Sequence, residues 1–158
     1  TLFPYTTLFR SNNKNYKWAD MKTLVQYGLN QYGYCNYWED AMQDQDIRIL
    51  EAGKKRTVKD APAKDGNLYQ DGTVNTFLNI DDQDREKRIL MKKTEAIQVQ
   101  IEEKQEITAP IESGDILGTV TILLNGETLD EKPIVSGESI QKKNLLWIYR
   151  QLWKSYAL

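Results

Sequence analysis

Two stretches, one near each end of the chain, repeat apolar residues on a helical period. Met21, Leu24, Val25, Gly28, Leu29 and Tyr32 stand at i, i+3, i+4, i+7, i+8 and i+11, one stripe of a helix over 17–32. Asp20 falls in its first turn, where a carboxylate complements the helix dipole. Gly28 costs a helix about 1 kcal/mol relative to alanine, which close packing against another backbone would explain. A helix this short cannot bury its stripe alone, so it calls for a partner. Leu145, Ile148, Tyr149, Leu152, Trp153 and Tyr156 repeat the same spacing, with Arg150, Gln151, Lys154 and Ser155 opposite; Trp147 and Leu158 break the division.

Between these ends the period drops to two. Ile97, Val99 and Ile101 alternate with Gln98, Gln100 and Glu102, which predicts a half-buried strand over 96–103. Residues 120–124, Asn125-Gly126 and 127–135 read as a hairpin, because Asn-Gly supplies the two positive-φ positions of a type I′ turn. Pro133 cannot donate to a ladder and marks an edge or bulge on the return strand. Tyr34 to Trp38 leads into a strand, Ile47, Ile49 and Leu50 suggest another, and Gly53 to Arg56 reads as a charged turn. Asp65-Gly66 and Asp71-Gly72 are turn signals around Leu68-Tyr69 and 74–80. The charged run 81–88 reads as an exposed connection before Ile89, Leu90 and Met91. In 109–119, Pro110 starts an extended segment, Gly114-Asp115 turns it and Gly118 bends it into the next strand. Short strands with turns between them predict a mainly β fold, a small antiparallel β-sandwich over 45–138.

Composition narrows the chemistry. The 158 residues are 40% hydrophobic and 28% charged, as in a globular protein. No stretch reaches the roughly 20 apolar residues that span a bilayer. With 21 Lys and Arg against 23 Asp and Glu, the net charge of −2 gives no broad attraction to nucleic acid, and none is expected as a partner. Histidine is absent, which removes the usual general base, the Ser–His and Cys–His pairs and the commonest zinc ligand. The single cysteine, Cys35, excludes an internal disulfide and a thiolate cage. No cofactor and no metal is expected.

Residues 1–11, Thr-Leu-Phe-Pro-Tyr-Thr-Thr-Leu-Phe-Arg-Ser, have no initiating Met, no signal layout and no structural period. They coincide, codon for codon, with the first-frame translation of a common short-read sequencing adaptor. The segment is therefore expected to be an artefact, with the real chain beginning in mid-gene near Asn12 and any signal peptide or upstream domain cut away. The expected organisation is 1–11 artefact, 12–44 terminal helix and linker of a truncated upstream domain, 45–138 β-sandwich, and 139–158 amphipathic helix. Aromatics on one face with Arg150 and Lys154 on the other suit a helix lying in a membrane interface. Docking on the chain's own sandwich fits the periodicity equally well.

The candidate catalytic constellations fail one by one. Ser11 to Lys14 fits S-x-x-K and Ser11 to Asn13 fits S-x-N, patterns of serine acyl-transfer enzymes, but both use the adaptor serine. No K-T-G follows, since Lys22-Thr23 precedes Leu24 and Lys93-Thr94 precedes Glu95. An EF-hand counted from Asp82 needs Gly and Glu where Lys87 and Lys93 stand. Glu102-Glu103 and Asp130-Glu131 are paired carboxylates with nothing to raise them above a surface background. Cys35 reads as a packed small residue. No residue is assigned a catalytic, cofactor-binding or metal-binding role.

The order of parts, from 16–29 through 107–120, Asn125-Gly126 and Pro133-Ile134-Val135 to the amphipathic end, resembles the tail of the D-alanyl-D-alanine carboxypeptidases, the low-molecular-mass penicillin-binding proteins. Tyr16 to Leu29 looks like the last helix of that family's catalytic domain, 107–135 like its C-terminal β-domain and 145–158 like its membrane anchor. Over 45–95 the likeness is one of character only. The resemblance implies an extracytoplasmic serine hydrolase, associated with the outer face of the cytoplasmic membrane, that trims peptidoglycan stem peptides through an acyl-enzyme. Pentapeptide substrate and β-lactams would engage only the missing upstream domain. The present chain would be inactive, serving as a pedestal with 145–158 as its membrane contact. The alternative is a non-enzymatic β-module that binds cell-wall glycan or a protein through surface aromatics such as Trp38 or Tyr69.

Overall fold

The computed structural model describes residues 14–156. The adaptor-like segment 1–11, with Ser11 of the S-x-x-K match, lies outside the described residues. The chain divides into two compact units: the chain up to Cys35 with Arg88–Ala96, and Asn36–Lys87 with the chain from Ile97 onward.

In the first unit, helix α1 (Lys14–Gln31) leads into strand β1 (Tyr32–Asn36), which pairs with β4 (Arg88–Lys92) as a two-stranded sheet. Lys93 ties the two parts together, its N–H donating to the Gln31 carbonyl at 2.9 Å and its Nζ to the Leu29 carbonyl at 3.3 Å. The predicted helix is present, and its stripe is open: Met21, Leu24, Val25 and Leu29 are all exposed. Trp18 and Tyr27, off the stripe, are exposed as well, so apolar surface runs around much of the helix.

The second unit holds α2 (Tyr37–Ala41), α3 (Gln45–Ala52), β2 (Lys54–Pro62), β3 (Asp71–Leu78), α4 (Asp82–Arg85), β5 (Ile97–Glu103), β6 (Ile116–Leu124), β7 (Glu127–Ser136) and α5 (Leu145–Tyr156). Its strands form one antiparallel sheet in the order β2-β3-β7-β6-β5. The mainly β, antiparallel architecture is the expected one, gathered in a single sheet. Cross-strand register sets one inner face, carrying Val58, Val74, Thr76, Leu78, Ile134, Ser136, Val120 and Ile122, all buried. The half-buried Ile97, Val99 and Ile101 of β5 continue it. Helices α3, against β3 and β2, and α2, against β5, help cover the unit. The buried hydroxyls are satisfied, Thr76 Oγ1 donating to the Lys54 carbonyl and Ser136 Oγ to that of Glu138.

The sheet's two edges meet. Beyond β5 the chain runs beside β2, with Lys59 N–H donating to Ile107 O at 2.8 Å and Ala109 N–H to Lys59 O at 2.9 Å. Glu103 of β5 takes Lys54 at 2.9 Å and Arg56 at 2.8 Å, both from β2. Curling in this way covers edges that would otherwise invite another chain. It also places Ile107, Ala109, Ile111 and Leu117 in one buried cluster with Val58, Ala61 and Val74. The 109–119 stretch is thus a structural closure. Its turn is held by Glu112 N–H on Asp115 Oδ2 at 2.9 Å and by Gly114 at φ 93°, and the Ala109–Pro110 peptide is cis.

Several local expectations are corrected. Ile47, Ile49 and Leu50 lie on helix α3, not on a strand: Asp44 caps it through its side chain, Ile47 and Leu50 bury one face, and Ile49 is exposed. Gly53 to Arg56 is not a turn. Gly53 at φ 102° ends the helix and Lys54 opens β2. Asp71-Gly72 begins β3 instead of turning, and Gly72 is buried where a Cβ would meet the Pro62 carbonyl at 2.6 Å. The 81–88 run contains α4 and a buried Asp84. The Asn125-Gly126 turn stands as read, with φ of 55° and 85°. Pro133 is not at an edge: it stands opposite Thr119 of β6, and its carbonyl accepts from Asn79 N–H at 3.0 Å just past β3.

Gly118 sits at the bulge where the β6–β7 register shifts, opposite Glu103. A Cβ there would lie 2.5 Å from the Glu102 carbonyl oxygen and 3.1 Å from Glu103 Cα, backbone atoms that cannot swing aside. Gly118→Ala is expected to cost about 1–3 kcal/mol through overpacking. The change in urea midpoint checks this, and a neutral outcome would mean that β5 and β6 can separate there without loss.

Candidate functional site

The acidic pairs split by the two-residue period of their strands. Glu103 faces inward to its ion pairs while Glu102 is exposed and accepts from Gln100 at 2.8 Å. Asp130 faces inward while Glu131 is exposed. Asp130 Oδ2 accepts from Tyr37 Oη at 3.2 Å and from Trp38 Nε1 at 3.0 Å, with Lys87 Nζ 3.9 Å away. Asp84 on α4 pairs with Lys87 at 2.6 Å and closely with Lys132 of β7. A polar network therefore pins α2 and α4 to β7. In β7 the positions Asp130, Lys132 and Ile134 share the inner side, so an Asp and a Lys on the core side of a period-two pattern were the available sequence signal. The two cations hold the Asp84 carboxyl down to about 2, chiefly through hydrogen bonds from Lys132 and then Lys87. Burial first, then the Asp130 charge, pushes the Tyr37 phenol up.

The network is structural. Each carboxylate is held by fixed donors, and Trp38 at 0% exposure offers nothing to a glycan, contrary to the expectation for that residue. A shallow hollow of about 250 Å³ borders it, lined by Asn36, Trp38, Glu39, Met42 and Arg85, and Arg85 pairs with Glu51 at 2.6 Å. Cys35 is half-buried in β1. Among the described residues no three acidic or thiol groups converge on a possible metal position.

Linkage gives the network a pH signature. The Asp84 carboxyl lies below the ordinary 3.8 of a free aspartate in the folded protein, so the unfolded chain binds its proton first. Its contribution to stability is complete above about pH 4 and is lost as pH falls toward about 2. Urea midpoints followed from pH 6 to 2 are expected to fall less in Asp84→Asn than in the parent across that window. Parallel profiles would remove Asp84 from the account.

A second surface is of a different kind. Asn144 caps α5, its Oδ1 accepting from Trp147 N–H at 2.7 Å. Along the helix Leu145, Tyr149, Leu152, Trp153 and Tyr156 are exposed, Trp153 by 63%. Trp147 and Gln151, one turn apart, are half-buried instead, as is Ile148 of the stripe. From Ser139 to Leu158 the sequence carries Lys142, Lys143, Arg150 and Lys154 and no acidic residue, within a chain of net charge −2. No described helix is long and apolar enough to cross a membrane. Elsewhere Tyr69 is 96% exposed, on a loop shaped by Asn67 N–H on Asp65 Oδ1 and Tyr69 N–H on Asn67 Oδ1.

The antiparallel sheet of the second unit is thus followed by a helix with an open apolar face. Residues 82–142 match the family described as "Penicillin-binding protein 5, C-terminal domain". No curated protein matches the sequence. Among solved structures the chain is similar to penicillin binding protein 5 from Haemophilus influenzae, with 17% identity, 78% of this chain and 30% of that one covered, and a TM-score of 0.41. It is similar also to the D-alanyl-D-alanine carboxypeptidase DacD from Francisella tularensis, with 18% identity, 84% and 29% covered, and a TM-score of 0.38. The chain thus spans about 30% of the length of these structures. The matched stretch ends before α5, and β2 and β3 precede it.

Proposed function

We propose that the chain is the C-terminal part of a serine-type D-Ala-D-Ala carboxypeptidase that trims peptidoglycan stem peptides outside the cytoplasmic membrane. The β-domain acts as a pedestal, and α5 lies in the membrane interface. Pentapeptide substrate and β-lactams engage an upstream domain, and residues 12–158 contribute no catalytic group. The observation that carries this reading is the open apolar face of α5, flanked by cations, next to the stretch matched by the penicillin-binding protein 5 C-terminal domain. Apolar burial and attraction to anionic headgroups together hold such a helix on a lipid surface. Co-sedimentation with vesicles containing phosphatidylglycerol tests it: the whole chain binds, and a chain ending at residue 144 does not. Equal binding of the two removes the anchor role. A second reading, a cell-wall or protein-binding module, draws on Tyr69 alone and predicts a pull-down on cell-wall glycan that Tyr69→Ser abolishes.

A further inference from the structure

Between the end of β7 at Ser136 and the start of α5 at Leu145 lie eight residues. A free joint of that length would let the helix wander over roughly 16 Å, since a flexible chain spans about 5–6 Å times the square root of its residue number. This joint is held. Ile140 exchanges both backbone hydrogen bonds with Ile111, at 2.8 and 2.9 Å, and its side chain packs on the buried cluster. Lys143 is gripped three ways. Its N–H donates to the Asp60 carbonyl at 2.7 Å, and its Nζ donates to the Gln70 carbonyl at 2.9 Å and pairs with Asp71 at 3.2 Å. Only 17% of that side chain is exposed. Asp60 accepts from a left-handed conformation, φ 59°, at the bulge where the β2–β3 register shifts. Asp tolerates that region better than most residues. Directly after Lys143, Asn144 caps the helix. Along α5, Gln151 lies against the loop at Gly66, where an added Cβ would stand 2.8 Å from its Oε1. The side that meets the domain is thus the one with Trp147 and Gln151, joined by the half-buried Ile148, while Leu145, Tyr149, Leu152, Trp153 and Tyr156 of the apolar stripe are exposed.

We infer that α5 is a fixed foot: it docks on the β-domain through its Trp147 and Gln151 side, clamped by Lys143, and presents its apolar face outward before any membrane is present. Docking on the domain and lying on a membrane are then one arrangement instead of alternatives. The consequence for function rests on the membrane reading above, because a pedestal sets a height only if its lowest joint is stiff.

Nitroxides on Tyr69→Cys and Tyr156→Cys, both exposed positions, in a Cys35→Ser background of the whole chain measure the stiffness by pulsed electron spin resonance. A single narrow distance distribution is expected in solution, unchanged on adding phosphatidylglycerol and phosphatidylethanolamine vesicles. Lys143→Ala should widen it at least about twofold, toward the spread of a free joint. Lys142→Ala should leave it unchanged, because its pair with Asp60 at 3.2 Å is more than half exposed on both sides. A broad distribution with Lys143 in place overturns the inference, and a narrow one in Lys143→Ala overturns the clamp. Sedimentation of the same samples with the vesicles reads the membrane role separately. A narrow distribution in a protein that stays in the supernatant keeps the fixed foot and refutes the anchor.

Discussion

Trp38→Ala is expected to unfold the β-domain or leave it barely stable. The indole, on α2, is wholly buried, and its Nε1–H reaches Asp130 on β7 at 3.0 Å. Truncating a buried tryptophan costs about 3–5 kcal/mol in lost burial and residual cavity. Domains of this size have only about 5–15 kcal/mol in total. Trp38→Phe separates the two contributions. It keeps most of the volume and loses the hydrogen bond, while Asp130 still accepts from Tyr37, so a cost of about 1–2 kcal/mol is expected. Urea unfolding followed by far-UV circular dichroism measures both. A loss below about 1 kcal/mol for Trp38→Ala would mean that α2 is no part of the cooperative unit.

The second large effect concerns binding and leaves stability alone. Tyr149, Leu152 and Trp153 are exposed on the helix, so replacing all three by serine removes little buried surface from the folded domain. Urea midpoints should therefore stay near the parent value. Partitioning onto anionic vesicles should fall about 100-fold, because each side chain entering the interface contributes on the order of 1 kcal/mol, half or less of what full burial gives. Raising salt should weaken the parent further by screening the basic side chains. A triple variant that binds within about threefold of the parent would show that the apolar face is not what meets lipid.

How much of this was legible in the sequence varies with the kind of signal. The two helices, the β5 alternation and the Asn125-Gly126 hairpin follow from local periodicity and turn chemistry, and the structure bears them out. Asp44 to Leu50 misled because two isoleucines and a leucine suit a strand by composition, while the Asp44 cap and the i, i+3 spacing of Ile47 and Leu50 specify a helix. Gly72 misled because a glycine after an aspartate signals a turn, whereas here it admits the close approach of Pro62. The closure of β2 against 107–109 joins residues about fifty positions apart and has no local signature, so one curled sheet could not be told from two stacked ones. Asp84 fell in a run read as an exposed connection for the same reason: only the folded register brings it to Lys132. On α5 the period was plain, but which side faces the domain was decided by Trp147 and Gln151, and the joint by Lys143, a lysine like any other in the sequence.

The central proposal, that this β-module and its foot end a cell-wall carboxypeptidase, is tested most directly in the source DNA. Amplifying and sequencing across the codon for Asn12 from well upstream should show the reading frame continuing into an S-x-x-K, S-x-N and K-T-G domain behind a signal peptide, with no genomic counterpart of residues 1–11. A genomic frame that instead begins with the codons for Thr1 to Ser11 and runs straight into Asn12 would contradict it, leaving a stand-alone β-module with no enzyme attached.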